Sequence, residues 1–164
     1  MKALAAVAGL VLLGACQPAP SDVLEANKAV VRQYVEAYSN HDLAALDELF
    51  LPDFVRHSAS TLELHSYAEF RESVAQVAEA FPDERIEIGM MVAEGDKVAV
   101  YGTWSGTQEG AYAGLPATGR RAEIPFFYLF RIEDGKIAEF WTEWDNINFM
   151  TQLGHYPPAP EQTG

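Results

Sequence analysis

The sequence has one cysteine, Cys16, among its 164 residues, so an internal disulfide is impossible. Basic side chains are also scarce: 11 Lys and Arg stand against 24 Asp and Glu, which gives a formal net charge of −13. A chain this acidic disfavours nucleic acid as a partner. It contains no paired-cysteine metal motif, no P-loop and no dinucleotide-binding glycine fingerprint. These absences argue against the commonest metal, nucleotide and nucleic-acid functions.

The histidines are few and do not form a metal motif. His41, His57, His65 and His155 lack spacings such as H-E-x-x-H, so the sequence predicts no metal site. His57 follows a short predicted strand and is interpreted either as a ligand or acid in a pocket or as an ordinary surface or core histidine.

No apolar run is long enough for a transmembrane helix, since the N-terminal run covers only residues 3–13. It follows Met1-Lys2 and ends in Leu13-Gly14-Ala15-Cys16, which resembles the lipobox of bacterial lipoproteins. We therefore predict a signal peptide at 1–15, then a lipidated Cys16 and tether at 16–21. The alternative is an ordinary secretory signal cut near Ala15. Lipidation would anchor the chain at the cell envelope, facing the periplasm or outer membrane if the host has two membranes.

The remaining chain predicts one domain at 22–155 and a disordered tail at 156–164. Ser21 or Asp22 is expected to cap a first helix, Asp42 a short second helix, and Ser66 with Glu69 a capping box that opens a third. Strands are predicted at 85–93, 97–108, 120–131 and 136–145, preceded by an extended piece at 53–58, and a last helix follows to residue 153. Helices followed by a meander of strands indicate an α+β domain.

Residues 131–145, RIEDGKIAEFWTEWD, predict a hairpin whose turn is Glu133-Asp134-Gly135. In the returning strand, alternation places one set of side chains on one face: Ile137, Glu139, Trp141, Glu143 and Asp145. If that face lines a cavity, one of its carboxylates is a candidate acid or base; if it faces water, the carboxylates are merely solvated.

Four stretches together resemble the SnoaL-like polyketide cyclases, or ester cyclases, of the nuclear transport factor 2-like and ketosteroid isomerase-like superfamily. They are FPDERIEI, EGDKVAVYGTWSGTQEGAYAGLPATGR, FRIEDGKIAEFW and the later QLG. The resemblance implies a cone-shaped, curved antiparallel β-sheet packed on N-terminal α-helices, enclosing an apolar pocket. It also implies an intramolecular aldol closure that uses no cofactor, with Asp145 as the acid/base. The sequence departs from the family pattern at Phe140 and Gln108, where members often carry histidine.

Asp145 has a second interpretation, because an aspartate directly before a helix is a typical N-cap. Beside Asp145 and His57, the expected ligand-binding side chains are Trp141, Tyr101, Gln108 and Glu139. Two functions stay open at this point: cofactor-free acid/base chemistry on a small apolar carbonyl compound, by cyclisation, isomerisation or hydrolysis, or a lipid-anchored, non-catalytic protein that binds a hydrophobic ligand. A homodimer through the outer face of the sheet is also expected.

Overall fold

The computed structural model describes residues 19–61 and 63–156. Cys16, the signal peptide and most of the predicted tether and tail lie outside these residues. The elements are α1 Pro20–Ser39, α2 Leu43–Leu49, β1 Phe50–His57, α3 Tyr67–Ala80, β2 Arg85–Glu94, β3 Lys97–Thr107, β4 Arg121–Glu133, β5 Lys136–Trp144 and α4 Asn146–Leu153. No helix in the described part of the chain is long and apolar enough to span a membrane.

Two of the predicted helix caps are confirmed. The Asp42 side chain accepts from the backbone N–H of Ala45, and the Ser66 hydroxyl accepts from that of Glu69. The predicted cap of α1 is wrong, because the N-cap is Ala19 and no side chain caps the helix. Pro20 occupies the first turn, where its fixed φ is already helical and its missing N–H costs nothing.

One five-stranded sheet has the order β1-β5-β4-β3-β2. The pairs β2–β3, β3–β4 and β4–β5 are antiparallel, as the meander predicts. The edge strand β1 pairs with β5 in parallel, which the sequence did not predict. Pro52 is tolerated within β1 because an edge strand has one unpaired side. The α+β fold with a curved sheet against N-terminal helices is confirmed.

The sheet buries one face against the helices. Alternate residues of β4 are buried: Ala122, Ile124, Phe126, Tyr128, Phe130 and Ile132. An irregularity in the β4–β5 register, between Arg131 and Ile132, leaves both Ile137 and Ala138 buried at the start of β5. Beyond it, Phe140 and Thr142 face inward, and Glu139, Trp141 and Glu143 lie on the outer face.

Candidate functional site

A cavity of about 810 Å³ lies between the inner face of the sheet and the helices. This size is in the range of small-molecule sites. Its walls are dominated by aromatic rings: Tyr34, Tyr38, Phe70, Phe81, Trp104, Tyr112, Phe126, Tyr128, Phe140, Trp144 and Phe149. The rings come from α1, from α3 and the residue after it, from β3, β4 and β5, from the loop between β3 and β4, and from α4. The cavity therefore depends on most of the fold.

Polar side chains stand among these rings: Arg56, Ser60, Thr61, Glu69, Glu72, Ser73, Gln76, Thr142 and Asn146. Arg56 is the one cationic residue among the described residues of the lining, and Tyr38 and Tyr128 carry hydroxyl groups in the same walls. Burial raises the pKa of both tyrosines well above the usual value, so their phenols are neutral at pH 7 and can donate hydrogen bonds. Burial raises the pKa of Tyr128, whereas the positive charge of Arg56 lowers it. The phenol of Tyr128 therefore lies within the positive potential of Arg56.

The mouth of the cavity carries acidic side chains. Glu69 and Glu72 of α3 belong to the lining, and both are exposed. Glu69 accepts from the backbone N–H of His65, and Glu72 accepts from Gln76 at 3.4 Å. Carboxylates in a cavity lining can act as proton acceptors.

Asp145 lies at the rim of the cavity and not in its wall. The residues on either side of it, Trp144 and Asn146, line the cavity, but the Asp145 side chain is exposed. Its Oδ1 accepts from the backbone N–H of Asn148 at 2.9 Å and caps α4. The expectation of a desolvated Asp145 is therefore wrong, and the N-cap interpretation is confirmed. The chain leaves β5 at this residue to begin a helix, so strict alternation no longer sets the side-chain direction.

His57, Glu139 and Trp141 do come together, but on the outer face of the sheet. The rings of His57 and Trp141 stack with centroids 4.8 Å apart, and His57 Nε2 lies 3.4 Å from Glu139. Glu139 also accepts from Arg131 Nε at 2.7 Å. They sit at a shallow, separate cleft of about 330 Å³ lined by His57, Glu139 and Arg131. Their predicted placement in the apolar cavity is wrong, because the period-two face that they share is the outer one.

Tyr101 and Gln108 are also outside the cavity lining. Tyr101 is 41% exposed on the outer face, where its ring meets Phe127 at 5.1 Å. Gln108 is fully buried and its amide oxygen bonds to Thr118 and His155, at 3.1 and 2.8 Å. It therefore ties the glycine-rich loop to the end of α4. Their ligand-binding assignment is not supported by this placement.

Sequence reasoning missed Glu84, which has no exposed surface. Its Oε2 accepts from the indole Nε1 of Trp104 at 2.9 Å, and its Oε1 lies 3.1 Å from His41 Nε2. Burial is the main cause that raises the Glu84 pKa to about 7, while the hydrogen bond from Trp104 and the charge of Arg85 act to lower it. No periodic pattern marks it, because it lies in the turn between α3 and β2.

Among the described residues, no group of three or more His, Cys, Asp or Glu side chains is arranged to hold a metal ion. The described lining of the cavity offers carboxylates at its mouth, neutral phenols and one guanidinium in its walls, and aromatic surfaces.

Comparison with known proteins identifies the family and supports the fold. Residues 28–153 match the family of SnoaL-like polyketide cyclases. The chain belongs to this family. It is 32% identical over 141 residues to aklanonic acid methyl ester cyclase DauD of Streptomyces sp. strain C5, which covers 80% of this chain and 84% of the relative. It is 31% identical to the enzyme of the same description, DnrD, from Streptomyces peucetius, covering 80% of this chain and 93% of the relative.

Solved structures agree with this membership. AclR from Streptomyces galilaeus has a TM-score of 0.74 and 29% identity, covering 84% of this chain and 87% of its own. IdmH from Streptomyces antibioticus has a TM-score of 0.68 and 29% identity, covering 78% and 98%. For this SnoaL-like chain, family and relatives support a cyclase-type function acting on a small molecule. They do not favour a non-catalytic binding protein.

Proposed function

We propose that this protein closes a ring in a multi-ring aromatic ester by an intramolecular aldol reaction inside the aromatic cavity. The observation that carries the proposal is a mainly aromatic cavity of about 810 Å³ whose described lining includes one guanidinium and neutral phenols. Such a space fits a drug-sized ligand, and its polar groups can fix the ligand's orientation. The two curated relatives are described as aklanonic acid methyl ester cyclases, which supports ring closure in an ester.

The reaction conserves atoms. A carboxylate removes a proton from the carbon beside the ester carbonyl group, and the resulting enolate carbon attacks a ketone of the same molecule. The new C–C bond leaves an alkoxide, which takes the proton back. The product is an isomer of the substrate, so no oxidant or reductant is consumed.

The enolate oxygen needs positive charge or hydrogen-bond donors in fixed positions. Arg56, Tyr38 and Tyr128 lie in the cavity walls and supply both. Arg56 is itself held in place: its backbone exchanges hydrogen bonds with Leu64, and its side chain donates to Thr61. His57, Tyr101 and Gln108, by contrast, do not line the cavity.

Asp145 remains our proposal for the base, supported by the family resemblance and by its position between two lining residues. Its capping bond uses one oxygen, and a carboxylate has lone pairs for further partners. A substrate that fills the mouth would cover Asp145 and remove its water.

The test is conversion of aklanonic acid methyl ester, followed by chromatography because substrate and product have the same mass. Asp145→Asn should slow turnover by roughly 10² to 10⁴, the usual contribution of a general base, and leave ligand affinity nearly unchanged. Glu72→Gln, a change of another carboxylate at the mouth, is the matched control. Full activity of Asp145→Asn together with loss of activity in Glu72→Gln would move the role of base to Glu72.

We further propose that the mature protein is anchored at the cell envelope by lipid on Cys16, on the strength of the Leu13-Gly14-Ala15-Cys16 sequence. Cys16→Ser should move the exported protein from the membrane fraction to the soluble fraction. Mass spectrometry of the wild-type N-terminus provides the direct check, and an unmodified Cys16 would refute the anchor.

A homodimer through the outer face of the sheet is our third proposal. Met90, Tyr101 and Phe127 are register partners on three neighbouring strands, and each is more than 40% exposed. Val92, at 57% exposure, extends this apolar row along β2. Monomers seldom leave a contiguous apolar surface of this kind in water, and a second copy could cover it by a two-fold axis.

A further inference from the structure

Trp104 is held in the cavity wall from several sides. Its indole Nε1 donates to Glu84 at 2.9 Å, and its ring meets Phe81 and Phe149 at centroid distances of 5.1 and 5.6 Å. Gly106 lies two residues further along the same face of β3, and a Cβ there would come within 2.9 Å of the indole. The absence of a side chain at Gly106 therefore lets the large ring lie flat along the strand.

Burial of Glu84 costs free energy, since a fully buried carboxyl group loses its hydration. Both of its oxygens have ring-nitrogen partners, Trp104 on one side and His41 on the other. His41 is only partly exposed and has a positive φ of 54° in the connection between α1 and α2. The carboxyl group thus links the helical layer to the cavity wall, and it does so without lining the cavity itself.

We propose that Glu84 is a positioning residue that fixes Trp104 as a rigid stacking wall for planar aromatic substrates of the cavity. The inference rests on the proposed function of the cavity and specifies which wall selects the substrate. A ring whose orientation is already fixed loses little freedom when a ligand stacks on it, so affinity is gained by preorganisation. Loss of the Glu84 acceptor would leave the buried indole N–H without its partner and free the ring to tilt.

A double-mutant cycle separates this role from general support of the fold. The probe is 1,8-dihydroxyanthraquinone, and the signal is quenching of tryptophan fluorescence, which Trp144 in the same cavity still supplies when Trp104 is replaced. Glu84→Leu should weaken probe affinity about tenfold, the size of one lost buried hydrogen bond. Glu84→Gln keeps an acceptor for the indole and should stay within about twofold of the wild type. Glu94→Leu, at an exposed glutamate at the end of β2, is the control.

The decisive comparison is in a Trp104→Leu background. There Glu84→Leu should cause no further loss, because the residue through which it acts is gone. An equal loss in both backgrounds, or no loss in either, would overturn the proposal.

Indole N–H resonances give a second readout that does not need the leucine variant to fold. In the wild type, the Trp104 signal should shift as pH passes through the neutral range, and in Glu84→Gln it should not. A Trp104 signal that Glu84→Gln leaves unchanged at every pH in this range would contradict the direct link between the two side chains.

Failure of this inference is distinguishable from failure of the proposed cyclase reaction. Probe binding requires no turnover. If Glu84 and Trp104 are coupled in a protein that leaves the ester unchanged, the proposed reaction is refuted and this inference stands. If the protein converts the ester but the two residues show no coupling, this inference is refuted and the proposed reaction stands.

Discussion

The indole N–H of Trp104 donates a 2.9 Å hydrogen bond to Glu84, a carboxyl group with no exposed surface in a chain of net charge −13. Around Glu84, Asp83 adds to the rise of its pKa, whereas Arg85 and the Trp104 N–H oppose it. His41 faces the other oxygen, and burial, followed by the charge of Arg85, lowers the pKa of that histidine. Burial raises the pKa of Glu84 more than Trp104 and Arg85 lower it, so this pKa rises to about 7.

The raised Glu84 pKa predicts a pH-dependent stability. The pKa of Glu84 is 4.5 in the unfolded chain and about 7 in the folded protein, so between these pH values the folded protein keeps a proton that the unfolded chain loses. The stability that this proton contributes is complete below pH 4.5 and lost by about pH 7. Glu84→Gln lacks the titration. Relative to wild type, its free energy of unfolding should rise by about 2 to 3 kcal/mol between pH 5 and pH 8, at 1.36 kcal/mol per pKa unit.

Urea denaturation at the two pH values measures this change. Glu94→Gln is the control, since that glutamate is exposed and its difference from wild type should be the same at both values. A Glu84→Gln difference that does not change with pH would show that Glu84 is ionised throughout.

Arg56 should matter for turnover more than for binding. Arg56→Met retains most of the apolar stem but removes the charge that stabilises the enolate oxygen. We expect turnover of the ester to fall by roughly 10² to 10³, the effect of removing one such donor, with little change in KM. Arg71→Met is a suitable control, because Arg71 pairs with Asp47 at 2.7 Å outside the cavity. Equal losses in both variants would make the effect one of folding or net charge.

The outer apolar row predicts the oligomeric state. Phe127 is 60% exposed, and Phe127→Lys places a charge at the centre of the row formed with Met90 and Tyr101. A dimer through this face should dissociate, which light scattering at tens of micromolar would show as a halved mass. Ala44→Lys adds the same charge on the exposed side of α2 and should leave the mass unchanged. A wild-type monomer would refute the dimer.

Local signals in the sequence predicted the elements because they act over a few residues. Asp42 and Ser66 cap the helices as expected, and Gly154 ends α4 with a left-handed φ of 82°. Strand alternation also placed Val98, Val100 and Trp104 on one face of β3. The family resemblance then supplied the curved sheet and the pocket.

The site was harder to predict, because period two separates the faces of a strand without saying which one is inside. The carboxylates of β5 share the outer face with Trp141, whereas Phe140 and Thr142 line the cavity. Arg56 was missed because it reaches the cavity from an edge strand that pairs in parallel with β5. Glu84 was missed because its partners, His41 and Trp104, are distant in sequence.

If ring closure takes place inside the aromatic cavity, a side chain that fills the cavity should prevent it. Thr142 lies on its wall at 3% exposure, so Thr142→Trp would occupy the space that the substrate needs. Thr103→Trp makes the same change on the outward face of β3. With both variants shown to be folded by thermal denaturation, the measurement is conversion of aklanonic acid methyl ester to its cyclised isomer. We predict that Thr142→Trp abolishes conversion and Thr103→Trp retains it; undiminished conversion by Thr142→Trp would contradict the account.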